Sequence, residues 1–237
     1  MPASADQVEL TARECAVVKI GGSLMGSDRL STIAAALARA RRPVVVVPGG
    51  GGFADEVRSA QIRHGISDRA AHAMALLSMH QTGLLLADLQ RRFVPVETLA
   101  AVRRTLDVNR IPVWLPYRSM IADAAVPADW TTTSDGLAAR LAERMRLRMV
   151  ILIKSRVVPA GQGAAELADQ GIVDPTFADI VARARLSFRV FGPGEERELA
   201  AVCRSSRAPT SSLRRQAGRT DLQRRQSRRG GAAGPRG

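Results

Sequence analysis

Of the 35 basic residues in this chain only two, Lys19 and Lys154, are lysine; the rest are arginine. Each lysine stands at or near the end of a β-branched apolar run, VVKIGGS and ILIKS. The carboxyl ends of such strands are where α/β sheets build their binding crevice. A flexible ammonium can follow a phosphoryl group between donor and acceptor, whereas a planar guanidinium prefers a fixed bidentate partner. Two glycine loops accompany them. Gly21-Gly22-Ser23 follows the first run, and Gly49-Gly50-Gly51-Gly52 follows the run PVVVV, each leading into a predicted helix. Glycine lets backbone approach a ligand closely, and exposed amides at a helix start favour an anion such as phosphate. A tight turn alone accounts for one Gly-Gly pair but not for four glycines in a row. A third element, Thr131-Thr132-Thr133-Ser134-Asp135-Gly136, opens another predicted helix. Asp135 suits the positive end of the helix dipole there, and a carboxylate between two lysines would orient both and keep them charged.

Competing phosphate motifs can be tested directly. No Gly-x-x-x-x-Gly-Lys-Ser/Thr occurs, which excludes a P-loop. Gly49, Gly51 and Ala54 satisfy a loose G-x-G-x-x-A pattern, yet the second strand that a dinucleotide fold requires is replaced by the helical stretch 65–90. His64, His72 and His80 recur every eight residues, not at the three- or four-residue spacing of a metal pair, and read as packing or substrate-pocket residues. No metal site is expected.

The elements that must carry these groups are legible in the hydrophobic rhythm. Strands are predicted at 15–20, 43–47, 111–115, 149–153 and 188–191. Helices are predicted at 28–41, capped by Ser27 or Asp28, and at 53–64, 69–90, 134–146, 174–185 and 195–202. Strands and helices alternate, so the class is α/β with crossover helices over a mainly parallel sheet. The division read from composition is an N-terminal extension at 1–13, one domain at 14–203 and an Arg-rich tail at 204–237. From 201 to 237 there are ten Arg and a single acid, Asp221, with too little apolar content to offset the entropy of ordering, so the tail is expected to be disordered.

The formal net charge of +13 is therefore mostly a property of the tail. Salt-sensitive binding of that tail to RNA or DNA ranks low, because it lacks aromatic residues on which bases could stack. No apolar run approaches the ~18 residues of a membrane span, and the charged start is unlike a signal peptide, so the expected location is cytoplasmic. Cys15 and Cys203 lack the spacing of a disulfide framework or zinc site, and no bridge between them is expected.

Taken together, VVKIGGSL at 17–24, VVPGGGGFADEVR at 46–58, TTSDGLAARL at 132–141 and ILIKS at 151–155 resemble the amino acid kinase family, which includes aspartate, glutamate, acetylglutamate, uridylate and isopentenyl phosphate kinases. The resemblance covers roughly residues 14–200. It implies a three-layer αβα sandwich with a mainly parallel central sheet, ATP and Mg2+ as cofactors, a small-molecule phosphoryl acceptor beside the second glycine loop, and, by analogy, a homo-oligomer. Carried over by position, Lys19, Asp135 and Lys154 would be catalytic. Gly21, Gly22, Ser23, Ser134, Lys154 and Ser155 would face the nucleotide, and Gly49, Gly50, Gly51 and Gly52 the acceptor. Within the family, PGGGGFADEVR and SDRAAHAMALLSMHQTG at 67–83 are similar to kinases of methanofuran biosynthesis, which phosphorylate an aminomethylfuran-methyl phosphate; Asp55, Arg58, Asp68 and His72 then join the acceptor pocket.

Two departures accompany the resemblance. After Val202 the tail stands where the family places a closing strand, which fits an altered reading frame, a lineage-specific extension or a degenerate copy. Ser155-Arg156-Val157-Val158-Pro159 replaces an acidic residue and a Gly near the nucleotide. The rival expectation is a protein of the same fold that binds nucleotide or oxyanion without catalysis.

Overall fold

The computed structural model describes residues 15–205. The expectations for the N-terminal extension and for most of the Arg-rich tail lie outside the described residues. Within them, six strands form one sheet in the order β3-β4-β2-β1-β5-β6, every pair parallel. These are β1 (Ala16–Ile20), β2 (Val44–Pro48), β3 (Phe93–Val96), β4 (Ile111–Trp114), β5 (Met149–Ile153) and β6 (Ser187–Phe191). Helices α1 (Arg29–Ala38), α2 (Gly51–His64), α3 (Asp68–Leu89), α4 (Leu99–Asp107), α5 (Tyr117–Met120), α6 (Ser134–Met145), α7 (Ala164–Asp169), α8 (Pro175–Arg183) and α9 (Glu196–Arg204) connect them, with a 3-10 turn at Gly22–Gly26. The expected α/β three-layer sandwich is what the chain forms.

The central strands β1, β2 and β5 are buried at every position, as parallel strands covered on both faces must be. Their alternation divides the core in two. Val17, Val45, Val47, Val150 and Leu152 pack with Leu137, Leu141, Phe177 and Ile180 of α6 and α8, while Ala16, Val18, Ile20, Val46, Ile151 and Ile153 pack with Leu30, Ile33 and Leu37 of α1. Because successive side chains alternate faces, Lys19 continues the parity of Val17, and Lys154 that of Val150 and Leu152. Both lysines are thereby turned toward the α6 layer.

Three expectations need correction. The segment between α3 and β4 holds a strand and a helix that the rhythm did not reveal. β3 is an edge strand, and its sequence FVPV carries Pro95, which an edge tolerates but which obscures a strand pattern. The short helices α5 and α7 were likewise not foreseen. Helix α3, whose apolar rhythm suggests a long buried helix, has only one buried face; Met74, Leu77, Leu84, Leu85 and Leu89 are exposed. Cys15 and Cys203 are both buried and free, as expected, and burial pushes their thiols up to about 12 and about 11. Among the described residues no helix is long and apolar enough to cross a membrane.

Candidate active site

At the carboxyl ends of β1, β2 and β5 the glycine loops meet backbone to backbone. The chain turns from β2 into α2 at Gly51, whose φ of 57° is in the left-handed region that favours glycine. This lets the loop after β2 lie against the loop after β1. A Cβ on Gly22 would land on the backbone N of Gly51, and one on Gly49 would land on the backbone N of Gly22. Hydrogen bonds lock the arrangement: Gly49 N–H donates to the Ile20 carbonyl at 2.9 Å and Gly21 N–H to the Ile153 carbonyl at 2.9 Å. The hydroxyls of Ser23 and Ser155 lie 2.8 Å apart, joining the loop after β1 to the one after β5.

Beneath these loops the two lysines converge. In register, Lys19 lies level with Leu152 on the neighbouring strand, so Lys154 follows two positions further toward the carboxyl edge. Lys19 Nζ lies 2.8 Å from Asp135 Oδ1, and Lys154 Nζ lies 2.5 Å from Asp135 Oδ2. Lys154 donates a hydrogen bond along its contact, and Lys19 forms an ion pair with the other oxygen. Lys154 also donates to the Ile172 carbonyl at 2.6 Å. Asp135 is 2% exposed and Lys19 5%, so neither charge is much screened by water. Burial alone would raise the Asp135 carboxyl, but Lys19 and Lys154 together hold it below the usual carboxylate value. Burial first, and the like charge of Lys19 second, lower the Lys154 ammonium from its ordinary 10.5 despite Asp135.

Asp135 owes its position to a carboxylate that the sequence did not single out. Asp174 caps α8 by accepting from Phe177 N–H at 2.7 Å. Its other oxygen accepts from Thr133 N–H at 2.9 Å, Thr133 Oγ1 at 2.6 Å and Gly136 N–H at 2.9 Å. One side chain thus ties the starts of two helices on which the core depends. Gly136 permits the approach, since a Cβ there would lie 2.7 Å from Asp174 Oδ1. Burial, and next the nearby Asp135, raise the Asp174 carboxyl. Asp174→Ala removes the acceptor for both helix starts and is expected to destabilise the fold by about 2–4 kcal/mol. Urea unfolding would read this as a lower midpoint; an unchanged midpoint would contradict the double cap.

Next to this bridge a cavity of about 190 Å³ opens, lined by the glycine loops, by α2 and α3 and by residues 130–137. Of the residues singled out from sequence, Gly22, Ser23, Gly50, Gly51, Asp55, Arg58, His72 and Ser134 line it. Lys19, Asp135 and Lys154 lie apart from its lining, as do Gly21, Gly49 and Ser155. Gly52 is exposed on α2 and does not line it either. Asp68, predicted to face the acceptor, instead accepts from Gln61 Nε2 at 2.7 Å on the exposed start of α3. Trp130, not noticed in the sequence, forms one wall, with the Arg58 guanidinium carbon 4.3 Å from its ring centre. Burial lowers His72 from its ordinary value, partly opposed by Asp129, so the imidazole is neutral near pH 7. His80 accepts from Tyr117 N–H at 3.0 Å, a packing role, and His64 is exposed at the end of α2.

Two glycine loops with interlocked backbone, and paired ammonium groups beneath them, suit a reaction between two anions. The described residues include no group of three or more His, Cys, Asp or Glu that could hold a metal ion. In comparisons with known proteins, residues 14–156 match the profile of the amino acid kinase family. The chain is 28% identical over 138 residues, 57% of its length, to the [5-(aminomethyl)furan-3-yl]methyl phosphate kinase of Methanocaldococcus jannaschii, and spans 63% of that relative. Among solved structures, the uridylate kinase of Archaeoglobus fulgidus superposes with a TM-score of 0.59 at 18% identity, over 80% of this chain and 95% of that one. The carbamate kinase of Giardia lamblia gives 0.52 at 11% identity, over 82% and 98%. At such identities these two speak for the fold.

Proposed function

The chain belongs to the amino acid kinase family, and from that premise we propose that it transfers a phosphoryl group from ATP to a small anionic metabolite. The observation that carries the reading is the convergence of Lys19 and Lys154 on one buried Asp135, at 2.8 and 2.5 Å, below the interlocked glycine loops. Within this reading, [5-(aminomethyl)furan-3-yl]methyl phosphate is the favoured acceptor, because the relative in Methanocaldococcus jannaschii bears that name. The protein acts as a cytoplasmic homo-oligomer in the same proposal; sedimentation of the full chain tests the assembly.

Phosphoryl transfer through a loose transition state asks for in-line positioning and neutralised charge, not for a protein nucleophile. ATP, when bound, would supply the phosphoryl group, and Mg2+ would neutralise part of the charge on its phosphates. Lys19 faces the transferring group. Lys154 reaches the nucleotide phosphates, and Asp135 holds the two ammonium heads apart and charged. Gly21, Gly22 and Ser23, with Ser134 and Ser155, receive the nucleotide through backbone and hydroxyl donors. On the acceptor side stand Gly50 and Gly51, at the amide-rich start of α2, and Asp55, Arg58 and His72, all lining the cavity.

The test is label transfer from γ-labelled ATP, with Mg2+, to four acceptors: the aminomethylfuran phosphate, a nucleoside monophosphate, an acidic amino acid and isopentenyl phosphate. Transfer to the first above the other three is the expected result. Nucleotide binding without turnover on any of them would make the chain a silent relative and overturn the proposal.

A further inference from the structure

One hydrogen-bonded chain around the cavity belongs neither to the lysine bridge nor to the glycine loops. Trp130 Nε1–H donates to Gln61 Oε1 at 2.6 Å, and the same amide donates through Nε2 to Asp68 Oδ1 at 2.7 Å. Both ends of the Gln61 amide are engaged, so its orientation is fixed. The indole, gripped at its only polar atom, presents its face to Arg58, whose guanidinium carbon lies 4.3 Å from the ring centre. Arg58 and Gln61 are three residues apart on α2 and therefore on one side of it. The backbone beneath the indole is also held: Asp129 Oδ1 accepts from Thr131 N–H at 2.8 Å and Thr131 Oγ1 at 2.5 Å. Thr132 Oγ1 meets Thr176 Oγ1 at 2.9 Å in a buried contact.

Arg58 is exposed, and an arginine on a helix surface samples many rotamers. A planar cation stacked on an aromatic face keeps far fewer. We propose that Trp130, aimed by the Asp68–Gln61 chain, is a positioning residue that holds the Arg58 guanidinium over the cavity, ready for an anionic group of the phosphoryl acceptor. The inference rests on the acceptor-side reading above and deepens it. Asp68 acts at a distance, through Gln61 and the indole, and the acceptor it helps to select carries a phosphate or carboxylate within reach of Arg58. His72, neutral near pH 7, leaves Arg58 the fixed cation among the side chains lining the cavity.

The test uses inorganic phosphate as the anion, so that it is independent of the acceptor's identity. Calorimetric titration of the full chain compares wild type with Gln61→Leu, Asp68→Asn, Trp130→Leu and Arg58→Lys, with ATP affinity measured alongside. Expected is a loss of phosphate affinity of about tenfold for Trp130→Leu and Arg58→Lys and about threefold for Gln61→Leu and Asp68→Asn, with ATP affinity within twofold. Arg58→Lys keeps the charge but not the stacking, so its loss distinguishes orientation from charge alone. Asp68 is exposed and Gln61 half-buried, so Asp68→Asn keeps the test readable even if Trp130→Leu does not fold. Unchanged phosphate affinity in Gln61→Leu and Asp68→Asn overturns the proposal, as does an equal fall in ATP affinity, which would signal general loosening. Dependence of phosphate binding on all four residues without phosphorylation of any acceptor upholds the positioning chain and sinks the kinase reading instead.

Discussion

Replacing Lys19 or Lys154 by methionine is expected to slow phosphoryl transfer by about 10²-fold or more in each case, the scale at which one preorganised charge contact contributes in a water-poor site. Both ammonium groups reach the same carboxylate, at 2.8 and 2.5 Å, so the two losses should not multiply: the double variant is expected to fall well short of the product of the singles. Methionine keeps all of the lysine side chain's length but its terminal atom, which largely separates the loss of charge from a loss of packing. The pH profile adds a readout that a packing defect would not give. Burial and the neighbouring Lys19 lower the Lys154 ammonium below its ordinary 10.5, and the active form is the charged one. Activity should therefore decline on the alkaline side before an ordinary lysine would titrate. Removing the charge of Lys19 relieves repulsion on Lys154, so the alkaline limb of Lys19→Met should move upward in pH. Wild-type rates in both single variants would remove the pair from the chemistry.

Gly22→Ala is expected to cost both stability and rate while changing no charge. The added methyl would meet Gly51 Cα at 2.6 Å and the Gly49 carbonyl carbon at 3.1 Å, in addition to the Gly51 nitrogen. All of these are backbone atoms and cannot swing aside, so the two loops must separate. Overpacking of this kind costs about 1–3 kcal/mol, and a displacement of about 1 Å at a site that works by positioning can cost about 10²-fold. Gly26→Ala is the matching control, because nothing lies within 4 Å of a Cβ at that position. Urea midpoints and single-turnover rates measured on both variants decide the matter. Equal behaviour of Gly22→Ala and Gly26→Ala would mean that the loops are free to move apart.

The parts of this fold that were legible in the sequence are those governed by local rules. β1, β2 and β5 announce themselves because strands buried on both faces read as near-continuous apolar runs, broken in β1 by Lys19. The helix opening at Ser134 is legible because Thr133 and Asp135 carry cap chemistry. From these the lysine–aspartate set could be assembled without coordinates. What could not be read are contacts between distant segments with no spacing rule. Asp174 was recognisable as the start of a helix, with Pro175 at its first position, but nothing local tells that the same carboxylate also receives Thr133 and Gly136 from 38 to 41 residues away. Trp130 meets Gln61 across 69 residues, and Asp68, adjacent to the predicted pocket helix, turns to Gln61 instead of the cavity. Pro95 hid an edge strand for a simpler reason, the loss of a ladder donor.

The stretch 129–136 carries Trp130 near one end and Asp135 near the other, and Thr132, Thr133 and Gly136 fasten it to Asp174 and Thr176. The cavity wall and the anchor of the ammonium pair therefore share one mechanical mount. If the proposed roles hold, a lesion in that mount blunts both together: in Asp174 variants that still fold, errors in choosing a substrate should rise as the speed falls.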